Sequence, residues 1–425
     1  MLQVLGSSWA LLLGILLLMI GNGLQGTLLG IRGEIEGFST WEISIVMSAY
    51  FVGFLIASRV TPDMLRRVGH VRVFAALGSF ISAVLVLYPV VADPWAWTVL
   101  RAIIGFSFCG VYITAESWLN NSVANENRGK ALSLYMLAQM VGIISAQGIL
   151  SAGDPSGYIL FIIPSVLVSI SFAPILLSVS PAPVFETTKP LAIRKLIEIS
   201  PLSCMGMFLL GGVFAAQFGM SSVWGAKAGL SIGQISVFVS VIYVGGLVLQ
   251  YPIGWISDRT DRRRMILILA VLAGFGGLIG TFANGIFALW LISGFLLGGL
   301  SNPLYALCLA YANDYMERED MPAASAGFLF INGVGAIFGP LLTGWMMDGF
   351  GTWAYFLFMA VLMFALAGYA AWRTTQRSRK GIVAETGYVA VTPSATSVAV
   401  EAATEVFLDM GDDKPEDEGP GAGDA

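Results

Sequence analysis

The chain has 425 residues, 56% hydrophobic and only 12% charged, with a mean hydropathy of +0.79. Soluble globular proteins carry about twice that charge fraction, so the composition excludes a soluble enzyme or binding module and implies a lipid bilayer as partner. The net charge of −5 conceals an uneven distribution: residues 374–425 hold ten acids and four bases, and the body seventeen acids and eighteen bases.

Twelve apolar segments of membrane-spanning length are predicted, at about 8–31, 41–59, 73–92, 95–119, 131–151, 158–179, 201–224, 233–255, 265–283, 286–312, 323–346 and 353–372. Each must bond its backbone internally in lipid, so each is predicted to be a helix. The first run has no Lys or Arg before Trp9 and no small-residue cleavage site after it, so it is expected to be a permanent span rather than a signal. If the N-terminus is cytoplasmic, the inner segments hold 19 of the 22 basic residues, and the outer segments hold only Arg32 and Lys227. That asymmetry predicts cytoplasmic N- and C-termini and, for a bacterial-type chain, the inner membrane.

In chain order, Asn22 and Gln25 come first, three apart on one face of the first span. Carboxamides in a span look into a polar cavity or bond a neighbouring helix, and both roles stay open. The loop from Arg59 to Arg72 is basic and contains Arg66, Arg67 and His70, the only histidine. Arg101 lies inside the fourth span, where it needs an anion, a carbonyl cage or water. It is a candidate for a substrate carboxylate or a proton partner, and otherwise a structural tether. Glu116 closes that span about 22 Å from Arg101. It is either a proton carrier or, near the inner surface, a latch for Arg66, Arg67 or Arg128. Cys109, Cys204 and Cys308 sit in separate segments, without metal-ligand spacing. One histidine and three scattered cysteines supply no metal cluster and no nucleophile–base set, so neither cofactor nor enzymatic activity is expected.

Residues 180–200 carry Pro181, Pro183, Pro190, Lys189, Arg194 and Lys195 and are expected to be a cytoplasmic linker on the membrane surface. Beyond it the first half repeats. An offset of 192 residues pairs Gln25 with Gln217, Gly37 with Gly229, Ser48 with Ser240, Gly53 with Gly245, Arg67 with Arg259 and Arg72 with Arg264. An offset of 193 pairs Gln139 with Asn332 and Gly142 with Gly335. The chain therefore divides into six-span bundles at 1–179 and 201–372, joined by 180–200 and followed by an acidic tail, 373–425, expected to be disordered.

The second-half loop reads Gly254-x-x-x-Asp258-Arg259-x-x-Arg262-Arg263-Arg264. It resembles the cytoplasmic-loop signature of the major facilitator superfamily, and Arg101-x-x-x-Gly105 resembles the signature of that family's fourth helix. Glu116-Ser117-Trp118-Leu119-Asn120, Arg128-Gly129-Lys130-Ala131 and Tyr135-Met136 look like the YcaD-like branch, over most of residues 9 to 372. The resemblance implies twelve helices in two pseudo-symmetric bundles and secondary active transport by alternating access. It assigns the inner gate to Asp258, Arg259 and Arg262–Arg264; Arg66, Arg67, Glu116 and Arg128 are the first-half candidates for that gate. Asn22, Gln25, Arg101, Gln139, Gln217, Asn302 and Asn332 are the predicted polar residues of the substrate cavity. The first-half loop departs from the signature, with Arg66 where the second half has Asp258. Gly339-Pro340 and Gly344 resemble a drug-antiporter signature, but on the eleventh span rather than the fifth.

The expected partners are a small solute, the bilayer and, as an open matter, protons, with a monomer as the working unit and no nucleic acid. Arg101 points to an anionic or zwitterionic solute. The apolar spans leave amphipathic efflux open, and a transport-dead membrane sensor is the remaining alternative.

Overall fold

The computed structural model describes residues 2–122, 128–176, 191–317 and 320–376, together with 388, 391, 395–400 and 402. Among them there is no β-strand. The first half forms α1 (Leu2–Ile35), α2 (Thr40–Val68), α3 (His70–Leu87), α4 (Pro94–Ser122), α5 (Arg128–Ala152) and α6 (Ile159–Leu176). A short α7 (Ile193–Ile199) precedes α8 (Pro201–Ala215) and α9 (Ser221–Lys227), which are joined by a π-helical turn at Ala216–Met220 into one span. Then follow α10 (Ile232–Ser257), α11 (Arg262–Thr281), α12 (Phe287–Asn313), α13 (Met321–Phe350) and α14 (Ala354–Gln376). Among the described residues eleven spans are long and apolar enough to cross a membrane, and α6 supplies a shorter twelfth. The protein is an all-α polytopic membrane protein.

The repeat is visible in local chemistry. Gly37 and Gly229 both take a left-handed turn, with φ of 78° and 75°, which costs glycine little. Ser39 and Ser231 then cap α2 and α10. Each hydroxyl accepts from the backbone N–H three residues on, at 3.2 and 3.3 Å, while Glu42 and Gln234 accept from the cap N–H at 2.8 and 2.9 Å. Both helices thus begin with a capping box at equivalent positions. Helix crossings repeat as well. A Cβ on Gly53 of α2 would overlap the Ala102 carbonyl on α4, and one on its counterpart Gly245 of α10 would overlap the Phe295 carbonyl on α12. Only glycine lets these backbones touch.

Lipid-facing positions are apolar: Ile56, Phe80, Val99, Ile170, Phe275 and Val361 are exposed outside the packed core. The two halves meet where α2 runs along α13, α5 packs on α10 and α1 packs on α9. At the end away from the basic loops, Lys227 Nζ lies 3.2 Å from Glu34 Oε2, and the Ser48 hydroxyl donates to the Ile337 carbonyl at 2.6 Å. Gly30 rests on Ser222 and Val223, and Gly344 on Ser44.

At the basic end, the described part of the linker is a helix docked on α13. The Leu191 N–H donates to the Ala323 carbonyl at 3.0 Å, Lys195 pairs with Asp320 at 2.8 Å, and Leu196 is buried against Gly327. Residues 177–190, which include Pro181, Pro183, Lys189 and Pro190, lie outside the described residues. In the stretch expected to be disordered, Val391, Thr396, Ala399 and Val400 are buried, and 397–400 form a helical turn. The acidic composition conceals this short apolar segment. Asp409, Asp412, Asp413 and Glu416–Glu418 lie outside the described residues.

Candidate functional site

A narrow cavity of about 40 Å³ lies between the halves. The first half contributes Tyr50, Phe51 and Phe54 from α2, Tyr112 from α4, Asn22 and Met19 from α1, and Ile143 from α5. The second half contributes Phe214 and Phe218 from the seventh span, Tyr243 from α10, and Leu329, Asn332, Gly333 and Ala336 from α13. Among these lining residues none is acidic or basic. The offsets map lining onto lining: Phe51 pairs with Tyr243, Asn22 with Phe214 and Ile143 with Ala336.

The rings form a connected set. Phe214 stacks on Phe218 with centroids 5.8 Å apart and planes 13° from parallel. Tyr50 meets Phe218 at 5.6 Å and Phe51 meets Phe214 at 6.4 Å, so rings of one half touch rings of the other. The π-helical turn at Ala216–Met220 lies within this wall and carries both Gln217 and Phe218. Such bulges recur at functional sites.

The seven predicted cavity residues separate into three groups. Asn22 and Asn332 line the cavity, one from each half. Asn22 Nδ2 donates to the Tyr112 hydroxyl at 2.7 Å, and Asn332 Nδ2 donates to the Met207 carbonyl at 3.0 Å. Gln25 and Arg101 stand one and two steps behind. The Gln25 Nε2 donates to Asn22 Oδ1 at 2.9 Å, and the Arg101 guanidinium donates to Gln25 Oε1. Arg101 is fully buried, sits 5.0 Å from the Tyr50 ring centre and contacts Met47 Sδ at 3.6 Å. Its charge is met by an amide oxygen, a π face and a polarisable sulfur.

The other three do not line the cavity. Gln217 Nε2 donates to the Ser301 hydroxyl at 3.3 Å. Asn302 bonds the Gly298 carbonyl of its own helix at 3.0 Å and packs on Gly246. Gln139 is buried on α5 with its Nε2 left without a hydrogen-bond partner.

The basic-end residues separate too. Asp258 accepts from the Tyr388 N–H at 2.7 Å and lies 4.0 Å from Arg262. Arg262 pairs with Asp314 at the end of α12 and donates to the Ala310 carbonyl at 3.2 Å. Arg263 donates to the Tyr315 hydroxyl at 2.6 Å. Arg259, in the turn after α10, folds back on that helix, over Trp255 at 4.1 Å and bonded to its carbonyl at 2.9 Å. Arg264 and Arg67 are exposed. Arg66 bonds Asp63 one turn earlier on α2. The described contacts of Arg262 and Arg263 thus tie α11 to α12 within the second half.

Glu116 is buried and accepts from the Tyr135 hydroxyl at 2.8 Å and from the Thr396 hydroxyl. The side chain of Arg128 lies outside the described residues. His70, expected in a loop, instead opens α3 and is buried against Ser117 at 3.0 Å. Cys109, Cys204 and Cys308 are free and buried.

The aromatic lining is what the polar residues alone do not reveal. Phe51 pairing with Tyr243 at the repeat offset is the signal that marks it.

The model of the Major Facilitator Superfamily matches residues 11–229 and, separately, 202–407. The chain belongs to the major facilitator superfamily. The MFS-type transporter YcaD of Salmonella arizonae is 25% identical over 358 residues, covering 83% of this chain and 92% of its own length. Among solved structures, the nucleoside transporter NupG, in a single-site mutant form, superposes with a TM-score of 0.72 at 14% identity, covering 86% of this chain and 98% of that one. The Escherichia coli fucose:proton symporter FucP, also as a single-site mutant, gives 0.55 at 16% identity over 86% and 98%. As a member of the superfamily the chain is a transporter.

Proposed function

We propose that this superfamily member is a secondary active transporter of the inner membrane, with both termini in the cytoplasm. It moves one small solute by alternating access of its two halves around the aromatic cavity. The supporting observation is the pairing of lining residues across the repeat, because a site built from equivalent positions of two bundles can open to either side by their rocking. The concentration of bases at one end supports a cytoplasmic assignment of that end.

The solute is small, uncharged and ring-bearing, with a hydrogen-bonding edge for Asn22 and Asn332. Taking an unpaired carboxylate out of water costs several kcal/mol, and no lining residue offers a counter-charge. Aromatic walls favour a flat apolar body. Of the solute classes left open by the sequence, this supports the amphipathic one over the anionic one. A nucleoside, the cargo named for NupG, meets the same description. Protons are the proposed coupling ion, as named for FucP, and Glu116, a buried carboxylate, is the proposed carrier.

Thermal shift of the purified protein tests the solute class, since a ligand that binds only the folded state raises Tm by mass action. Nucleosides and aromatic amides are expected to stabilise it and their carboxylate analogues to leave it unchanged. Stabilisation by the carboxylates alone would contradict the assignment.

A further inference from the structure

We propose that the basic face carries a docking cleft for an apolar peptide segment, and that its occupant is the chain's own C-terminal tail, acting as a removable wedge between the halves. The inference rests on the alternating-access reading for its consequence, and its vesicle test on the cytoplasmic assignment of the basic end.

The tail bridges the two halves. Its Tyr388 N–H donates to Asp258 Oδ1 at 2.7 Å, and the Tyr388 ring lies on Gly254 of α10, where a Cβ would overlap it. Further on, the Thr396 hydroxyl donates to Glu116 of α4. Tyr388 and Thr396 of the tail therefore bond the signature carboxylate of the second half and a buried carboxylate of the first.

Between and beyond these anchors the tail presents small apolar side chains. Val391, Ala395, Ala399 and Val400 join the hydrophobic core, each no more than 5% exposed. Ala399 and Ala402 face Leu119 of α4 with Ala131 and Leu132 of α5. Small residues suit a cleft between helix ends, because larger ones would force them apart.

At the opposite end the halves are joined by Glu34 with Lys227 and by Ser48 with Ile337. A carrier closed there must close its basic end during each cycle. A segment held between α4, α5 and α10 blocks that closure, so the tail favours the inward-open form and must withdraw for turnover. Asp258 and Glu116 would then be free for the contacts that close this face.

Full-length protein carrying Ala131→Cys provides the test, through its rate of reaction with a membrane-impermeant maleimide in inside-out vesicles. Truncation after Gln376, or full-length Val400→Asp, is expected to raise the rate about tenfold by exposing the cleft. A synthetic peptide of residues 386–403, added to the truncated protein, is expected to slow labelling again. Equal rates in all three proteins would overturn the proposal. Val400→Asp alters no helix of the bundle, so it answers even where truncation impairs folding. Repeating the labelling in detergent separates the premises. A gap of about tenfold in detergent with no labelling of inside-out vesicles would keep the docking and refute the orientation.

Discussion

The Arg101 guanidinium ends on the Gln25 side-chain oxygen, and Gln25 in turn ends on Asn22, which faces the cavity. Along these hydrogen bonds the charge is two side chains from the cavity, and across the Tyr50 ring, 5.0 Å away, it is one. Arg101→Ala would leave the buried Gln25 amide unsatisfied, at a cost of about 1–3 kcal/mol, and a lowered Tm in detergent checks it. A ring-bearing uncharged ligand is expected to stabilise wild type and Arg101→Ala by similar increments. An increment lost with Arg101 would instead place the charge in the site.

Phe51 and Tyr243 occupy equivalent positions and face one cavity. Phe51→Ala and Tyr243→Ala are each expected to weaken solute binding about tenfold, or roughly 1.4 kcal/mol, through lost ring contact. Calorimetric titration of the purified variants measures it. An effect confined to one half would argue against a site shared by both.

The close crossings of α2 on α4 and α10 on α12 predict matched packing costs. Gly53→Ala and Gly245→Ala each place a methyl where a carbonyl oxygen now sits, an overpacking expected to cost about 1–3 kcal/mol. Size-exclusion melting curves should show both variants losing stability by comparable amounts, with Gly148→Ala, which meets open space, as the neutral control.

The general architecture was legible because it follows from strong constraints: length and apolarity for the spans, the excess of bases for sidedness, and a constant offset for the repeat. Boundaries were less so, since the helices run past the apolar runs; α2 continues to Val68 through basic residues. Among the site residues, Asn22 and Asn332 stood out because a polar side chain in a span needs a reason. Tyr50, Phe54 and Phe218 did not, because Phe80, Phe275 and Tyr251 meet lipid with the same side chains. Arg101 was visible, but its partner was not: only the fold brings Gln25 to it, 76 residues away in sequence. The tail's packed stretch was hidden by the acidic residues around it.

The Glu34–Lys227 pair joins the halves at the end away from the basic loops. It is partly exposed, so its loss should cost no more than about 1 kcal/mol. Lys227→Ala is expected to increase maleimide labelling of Thr40→Cys, a buried position beside Gly344, from the outer side of right-side-out vesicles. The exchanged pair Glu34→Lys with Lys227→Glu should restore the slow rate.

For Glu116, buried against Tyr135 and Thr396, Glu116→Gln is expected to abolish pH-driven accumulation in proteoliposomes while leaving counterflow of the solute found by thermal shift intact. Accumulation that survives the substitution removes Glu116 as the proton carrier.

Alternating access is tested most directly by a cysteine in the shared cavity, Asn332→Cys, labelled with a membrane-impermeant maleimide in right-side-out and inside-out vesicles, with and without the tail beyond Gln376. The account predicts labelling from both sides, with a label applied from one side blocking reaction from the other. Labelling from one side only, in full-length and truncated protein alike, would contradict it.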